Sequence, residues 1–330
     1  MPDKPKVAFY WCASCGGCEE SVVDLAEGIL GVLEAADIVM WPVAMDFKRR
    51  DVERLADGAI AVTFLNGAIR TSEHEEMARL MRRKSRALVA YGACAQLGGI
   101  PALANQFPRG LILDEVYARS CSTTNAEGTR PVPEHRENGH ALRLPEFRNV
   151  VRTLDQVVEV DYSIPGCPPT PKLLGDAIRL LLGGEAPPRG AVLAPDTALC
   201  DGCPRKDSKP TDVAYAAFVR PHLVKADPAT CFLAQGIVCM GPATRGACEA
   251  QCIGGNMPCT GCFGPTSRVR DQGAKLLSSI ASSIAPKSDA EIREVLDGIP
   301  DPVGTLYRYA LARSLLRRRV DLPTDPTDVH

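Results

Sequence analysis

Apolar positions along this chain fall into two regimes. Over roughly the first half, short and nearly continuous apolar runs alternate with stretches in which apolar residues recur every three or four positions. Residues 7–11 (Val-Ala-Phe-Tyr-Trp), 38–40, 59–65, 87–91 and 157–161 read as buried strands, and residues 19–33, 73–84 and 171–182 as helices. Strands that are apolar throughout and separated by helices predict a parallel sheet covered on both faces, an α/β fold. Residues 121–149 break the pattern. They are polar and aperiodic and read as a long functional loop, with His135 and His140 as ordinary surface residues.

Beyond a Gly/Pro-rich joint at 183–195 the periodicity fades. Residues 199–265 suggest a segment organised by metals more than by a hydrophobic core. Helices are predicted at 274–284 and after the capping box Ser288-x-x-Glu291. The expected division is a sheet domain of residues 1–185 and a smaller, irregular domain of residues 186–330 with C-terminal helices.

Composition changes this picture little. The 330 residues are 45% apolar and 24% charged, as in an ordinary globular protein. A net charge of −2 and only 5% aromatic residues argue against a nucleic-acid binder. No apolar run reaches the roughly 18 residues needed to span a bilayer. The opening Met1-Pro2-Asp3-Lys4-Pro5-Lys6 shows neither a twin-arginine motif nor a signal h-region, so a cytoplasmic location without membrane insertion is expected.

The fourteen cysteines change it a great deal. The cytosol keeps thiols reduced and a chain this long needs no disulfide staples, so metal or redox chemistry is the expectation. Cys12, Cys15 and Cys18 follow the first predicted strand. Cys94 follows the strand at 87–91, within Gly92-Ala-Cys94-Ala-Gln-Leu-Gly-Gly99, and Cys167 follows that at 157–161, within Pro165-Gly-Cys167-Pro-Pro. The carboxyl ends of parallel strands share one rim, where ligands bind. Three thiol-bearing loops therefore converge there, and a cubane iron-sulfur cluster takes four thiolates. No Gly-x-Gly-x-x-Gly or Gly-Lys-Ser/Thr phosphate loop accompanies the glycines. The second domain holds Cys200-x2-Cys203, Cys231-x7-Cys239, Cys248-x3-Cys252 and Cys259-x2-Cys262. Eight thiols equal two cubanes. Zinc is the alternative, and spacing alone does not fix which four thiols share a site.

At these residues the chain resembles the small subunit of nickel-iron hydrogenases, in particular the soluble, coenzyme-linked group of methyl-viologen-reducing enzymes that feed heterodisulfide reductase. The resemblance runs from about Lys6 to Tyr309. Its markers are Cys15-Gly-Gly-Cys18, Gly92-Ala-Cys94-Ala-Gln-Leu-Gly-Gly-Ile100-Pro101, Pro165-Gly-Cys167-Pro-Pro, Cys239-Met-Gly-Pro-Ala-Thr244 and Pro258-Cys-Thr-Gly-Cys262. It implies a flavodoxin-like first domain without flavin, and three [4Fe-4S] clusters. The implied ligands are Cys15, Cys18, Cys94 and Cys167 for a proximal cluster; Cys248, Cys252, Cys259 and Cys262 for a medial one; and Cys200, Cys203, Cys231 and Cys239 for a distal one. The implied role is relay of electrons from hydrogen oxidation at a nickel-iron site in a large partner subunit to a cytoplasmic iron-sulfur or flavin protein, heterodisulfide reductase-like. No catalytic residue is expected in this chain.

Departures from the family pattern sharpen the expectation. Cys200 stands where many periplasmic relatives have histidine, Cys252 supplies a thiol where proline leaves others with three irons, and Asn66 replaces a common glutamate. Cys12 and Cys121 fall outside the ligand pattern and read as structural. Asp201, Arg205, Lys206, Asp207 and Lys209 read as a polar docking rim. The rival family, a complex I-type quinone-reductase subunit, shares the proximal-site domain. It carries one cluster and an adjacent cysteine pair, and has no eight-cysteine domain.

Overall fold

In the computed structural model, residues 4–184, 186–212, 214–285 and 288–317 are described; Met1, Pro2 and Asp3 of the N-terminal reading lie outside them. The strands among them are β1 (Lys6–Trp11), β2 (Asp37–Met40), β3 (Ile60–Asn66), β4 (Ile69–Thr71), β5 (Ser85–Tyr91), β6 (Glu134–Glu137), β7 (His140–Arg143), β8 (Phe147–Arg152), β9 (Tyr162–Ile164) and β10 (Ala191–Val192). The helices of the first half are α1 (Gly17–Val23), α2 (Gly28–Ala35), α3 (Arg49–Glu53), α4 (Ser72–Lys84), α5 (Gly92–Leu97), α6 (Arg109–Asp114) and α7 (Pro171–Leu182). One six-stranded sheet runs β10-β9-β5-β3-β1-β2, and every pairing in it is parallel.

Both sheet faces are buried, which is why its strands read as unbroken apolar runs. On one face Val7, Phe9, Phe64, Val89 and Tyr91 pack against Val22, Leu174 and Ile178 of α1 and α7. On the other, Ala8, Leu65, Leu88 and Ala90 pack against Val52 of α3 and Met77 and Met81 of α4. Alternation of Cβ direction along β1 sends Val7 and Phe9 one way and Ala8 the other.

Three local expectations are corrected. The helix predicted over 19–33 is broken, because Ala26 takes a left-handed φ of 50° between α1 and α2. The strand predicted at 157–161 begins later, at Tyr162. There Asp161 N–H donates to Leu88 O at 2.9 Å, but its carboxylate accepts the Leu88 N–H at 2.8 Å in place of a strand carbonyl, so the ladder with β5 starts at Val89↔Tyr162. Within residues 121–149 lies a hairpin, β6-β7, whose turn Asn138-Gly139 has φ of 48° and 81°, followed by β8, which pairs antiparallel with β4.

The second half contains α8 (Gln251–Gly254), α9 (Gln272–Ser282), α10 (Asp289–Asp297) and α11 (Pro302–Leu306), joined by short 3-10 turns. Ser288 and Glu291 form the expected capping box on α10. Phe232, Ile237, Met240, Leu276, Ile280, Leu306 and Tyr307 form its core, and Cys239 and Cys259 belong to that core. The last described stretch returns to the sheet domain. Tyr309 O accepts from Gly99 N–H at 3.0 Å, Ala312 O accepts from Gln156 Nε2 at 3.0 Å, and Arg313 Nη1 donates to Gln96 O at 3.4 Å.

Candidate metal centres

Three strand ends set up the first site. Past β1 the chain turns through Gly16 (φ 89°) into α1, which carries Cys18 in its first turn with Cys15 just before it. Past β5 it enters α5 through Gly92 (φ 84°), which presents Cys94; past β9 it passes Gly166 (φ 136°) to Cys167. The Ala93 N–H donates to Gly166 O at 2.6 Å, locking the second and third loops together. Burial, and then the negative charges of Cys94, Cys167 and Cys15, push the Cys18 thiol well above its ordinary pKa. Burial, and then Cys167 and Cys15, push Cys94 up to about 12, while the Ile100 N–H opposes the shift. The four thiols thus stand in one another's field.

The glycines are a steric requirement. A Cβ on Gly92 would sit 2.3 Å from Cys18 Sγ, and one on Gly99 (φ 59°) 2.4 Å from Cys94 Sγ. Both are far inside van der Waals contact, so the backbone reaches these sulfurs only where no side chain intervenes.

Cys248, Cys252, Cys259 and Cys262 line a cavity of about 380 Å³, and Cys167 of the first site lines it too. Burial, and then Cys167, Cys248 and Cys252, push Cys262 up to about 12. Burial, and then Cys239, raise Cys259, whereas the Gly261 N–H and the Thr244 hydroxyl hold it down. The Thr244 hydroxyl has one proton, shared between Cys259 and Met240 O at 2.6 Å, and its oxygen accepts from Gln272 Nε2 at 3.1 Å.

Cys200 and Cys203 lie in and just after a 3-10 turn at Leu199–Gly202. Burial, and then Cys239, raise Cys200 to about 12; Lys209 opposes this, and Cys203 and Cys231 add to it. Cys239 is raised by burial, while the N–H groups of Gly241 and Cys259 counter it. A Cβ on Gly241 would meet Cys200 Sγ at 3.1 Å and Cys239 Sγ at 3.6 Å. Cys15, Cys18, Cys94 and Cys167 thus lie together, Cys248, Cys252, Cys259 and Cys262 share a cavity wall with Cys167, and Cys200, Cys203, Cys231 and Cys239 lie together. Cys167 and Cys262 link the first to the second, and Cys259 and Cys239 link the second to the third.

Among the described residues, no three His, Cys, Asp or Glu side chains converge tightly enough for a single metal ion. The donor chemistry fits a multi-iron centre. Crowded thiols, among them Cys18, Cys94, Cys200 and Cys262, raised by burial and by their neighbours, form a set that a cationic centre relieves, with backbone N–H groups aimed at Cys94 and Cys239.

Cys12 and Cys121 stand apart. Cys12 packs in the sheet core beneath α4, and Cys121 is exposed. His135 and His140 are exposed on the hairpin strands. One member of the expected docking rim is corrected: Arg205 is 5% exposed and turned inward. Reasoning from sequence also missed Glu19. Its buried carboxylate, beside Cys18, accepts from Asn66 Nδ2 and Trp41 Nε1, and burial raises its pKa. A carboxylate thus reaches Asn66 from the adjoining helix; its position directly after Cys18 was the available signal.

Comparison with known proteins bears on these groups. The family described as NADH ubiquinone oxidoreductase, 20 Kd subunit, matches residues 15–181, the part that carries the first group. A subunit of the F420-non-reducing hydrogenase of Methanothermobacter thermautotrophicus is 35% identical over 324 residues, covering 97% of this chain and 98% of that one. The iron-sulfur subunit of the F420-non-reducing hydrogenase of Archaeoglobus profundus is 34% identical over 318 residues, covering 96% and 98%. In fold, the chain is similar to the [NiFeSe] hydrogenase of Desulfovibrio vulgaris Hildenborough. The TM-score is 0.52 at 17% identity, over 80% of this chain and 95% of that one.

Proposed function

The chain belongs to the family of F420-non-reducing hydrogenase iron-sulfur subunits, the small subunits of nickel-iron hydrogenases, and from that premise we propose that it holds three [4Fe-4S] clusters and passes electrons from a large subunit to a cytoplasmic iron-sulfur or flavin protein. It is an electron-transfer subunit of an oxidoreductase acting on hydrogen, and the hydrogen-splitting site belongs to the large subunit. The clusters would supply one-electron redox centres in series.

The observation that supports the reading is the convergence of thiol-bearing loops: Gly92 and Gly99 lie against Cys18 and Cys94, four thiols line one cavity with Cys167, and Gly241 lies against Cys200 and Cys239. In this reading Cys15, Cys18, Cys94 and Cys167 hold the proximal cluster. Cys248, Cys252, Cys259 and Cys262 hold the medial one, and Cys200, Cys203, Cys231 and Cys239 the distal one. The chain's own residues do the positioning. Gly92 and Gly99 admit sulfur to the backbone, Ile100 and Gly241 direct N–H groups at it, and the apolar walls exclude water. Residues 1–185 and 186–330 remain our division of labour between proximal and outer sites. The acceptor we propose, on the sequence resemblance, is a cytoplasmic protein of the heterodisulfide reductase type. No helix among the described residues is long and apolar enough to cross a membrane.

Metal analysis of the purified hydrogenase complex tests the reading. It predicts about twelve iron atoms per copy of this chain, beyond those of other subunits, and no zinc. About four irons would favour the complex I-type reading, and zinc in place of iron would overturn the cluster assignment.

A further inference from the structure

Arg205 follows Cys203 by two residues, and its backbone N–H donates to Cys203 Sγ at 3.4 Å. Its side chain is buried and runs inward onto the loops that carry Cys231 and Cys252. The guanidinium lies over Phe232, 4.1 Å from the ring centroid. Nη1 donates to Asp227 O and Thr230 O, each at 3.2 Å, and Nη2 to Ile253 O at 3.4 Å and Asn256 Oδ1 at 2.7 Å. Thr230 immediately precedes Cys231, and Ile253 immediately follows Cys252. One planar cation thus ties together the loops that carry thiols of two different groups.

All four of those side-chain partners are neutral dipoles. The exposed Asp227 carboxylate feels Arg205 only after the Thr230 hydroxyl and the Ala229 N–H. A buried guanidinium balanced only by carbonyls is costly, because dipoles do not replace the hydration of a full charge. An anionic thiolate-ligated centre on either side would supply the missing balance. We infer that Arg205 is a positioning residue for electron transfer, a fixed positive charge between the Cys200/Cys203/Cys231/Cys239 and Cys248/Cys252/Cys259/Cys262 sites that stabilises the reduced state of both. The inference rests on the ligand groups proposed above.

The electron balance is simple: one electron leaves one site and arrives at the next, and no atom or proton changes place. Arginine stays protonated throughout, so its field is constant. Reduction adds negative charge at a site, so a neighbouring cation raises its potential.

The test is a redox titration of the intact hydrogenase complex, followed by electron paramagnetic resonance, for wild type, Arg205→Met and Arg205→Lys, with iron measured on each. Arg205→Met is expected to keep its iron while both outer sites titrate lower, each by about the 59 mV that equals a tenfold loss of the reduced form at fixed potential. Arg205→Lys keeps the charge but loses the fork. It is expected to titrate near wild type while the complex melts at a lower temperature. Iron-replete Arg205→Met with wild-type potentials would overturn the inference. If Arg205→Met does not assemble, Arg205→Lys decides: near-wild-type potentials support a charge effect, and a tenfold shift shows that geometry alone matters. A wild-type complex without the outer clusters would instead overturn the proposed ligand groups, and the inference with them.

Discussion

The two halves of this molecule hold their thiols by different means. In the sheet domain the fold comes first. β1, β3 and β5 are paired and buried on both faces, and Cys18, Cys94 and Cys167 stand where those strands and β9 end; Cys18 and Cys94 are buried there, but the hydrogen-bonded sheet stands behind them. In the second half the buried thiols have no sheet behind them among the described residues. Cys239 and Cys259 lie within the core there, and Cys203, Cys231 and Cys248 pack against it, among turns too short to be stable alone. A site backed by a paired sheet can be emptied with the sheet left standing, whereas a site held by short turns takes its turns with it.

The largest expected effect follows directly. Iron should be chelated from the intact protein and amide exchange measured. Exchange over residues 199–265 should rise about 100-fold or more, while β1, β3 and β5 stay protected, because metal binding and folding are linked most tightly where no sheet backs the site. Equal loss of protection in both regions would erase the distinction.

Point changes at the first site sharpen it. Cys94→Ser and Cys167→Ser should abolish hydrogen-dependent dye reduction by the complex, yet leave the far-ultraviolet circular dichroism close to wild type. Unfolding by either variant would mean that the sheet also depends on its cluster.

Glycine variants give a graded comparison. Gly92→Ala and Gly99→Ala place a methyl 2.3 and 2.4 Å from a sulfur at positive φ, and should each lose about four irons per chain and about 1–3 kcal/mol of stability. Gly241→Ala, at 3.1 Å from Cys200 Sγ, should cost less on both measures, since a few tenths of an ångström of adjustment suffices. Equal losses from all three would show that the outer site is as rigid as the first.

Subtler still is the state of the second group. With Cys252 present, the oxidised complex should give no three-iron resonance signal at one per chain; such a signal would remove Cys252 from the ligand set. The smallest effects belong to the two remaining thiols. Cys12→Ser should cost about 1–3 kcal/mol in thermal denaturation, from a hydroxyl buried in the sheet core, with iron unchanged. Cys121→Ser, at an exposed thiol, should change neither.

The same contrast explains what could be read from sequence. The sheet was legible because apolar runs and glycine-flanked cysteines are local signals, and α7 starts and stops where the pattern says. The register of β9 was not, because a side chain, Asp161, takes the place of a backbone partner. The hairpin was overlooked although Asn138-Gly139 is a strong turn signal, because its strands have no buried face to give a two-residue period. In the second half, spacing gave the number of thiols but not their grouping, which depends on how loops such as 199–203 and 239–241 fold back on each other. Arg205 looked like surface because a charged residue among charged residues usually is, and its burial comes from partners 22 to 51 positions away.

The return of residues 309–313 to the sheet domain also sets a clock. The loop that presents Cys94 is closed by Tyr309, Ala312 and Arg313; Gly98 leaves room for the Ala312 methyl, which a Cβ there would meet at 2.6 Å. Arg313 and its partner Gln96 are 217 positions apart. At the usual pace of synthesis, about 5–20 residues per second, that separation is roughly 11–43 s. Through that interval the strands that aim Cys94 have already been made, but the residues that close over its loop have not. The nascent protein thus offers this thiol to iron delivery, or to oxidants, for longer than most small domains need to fold.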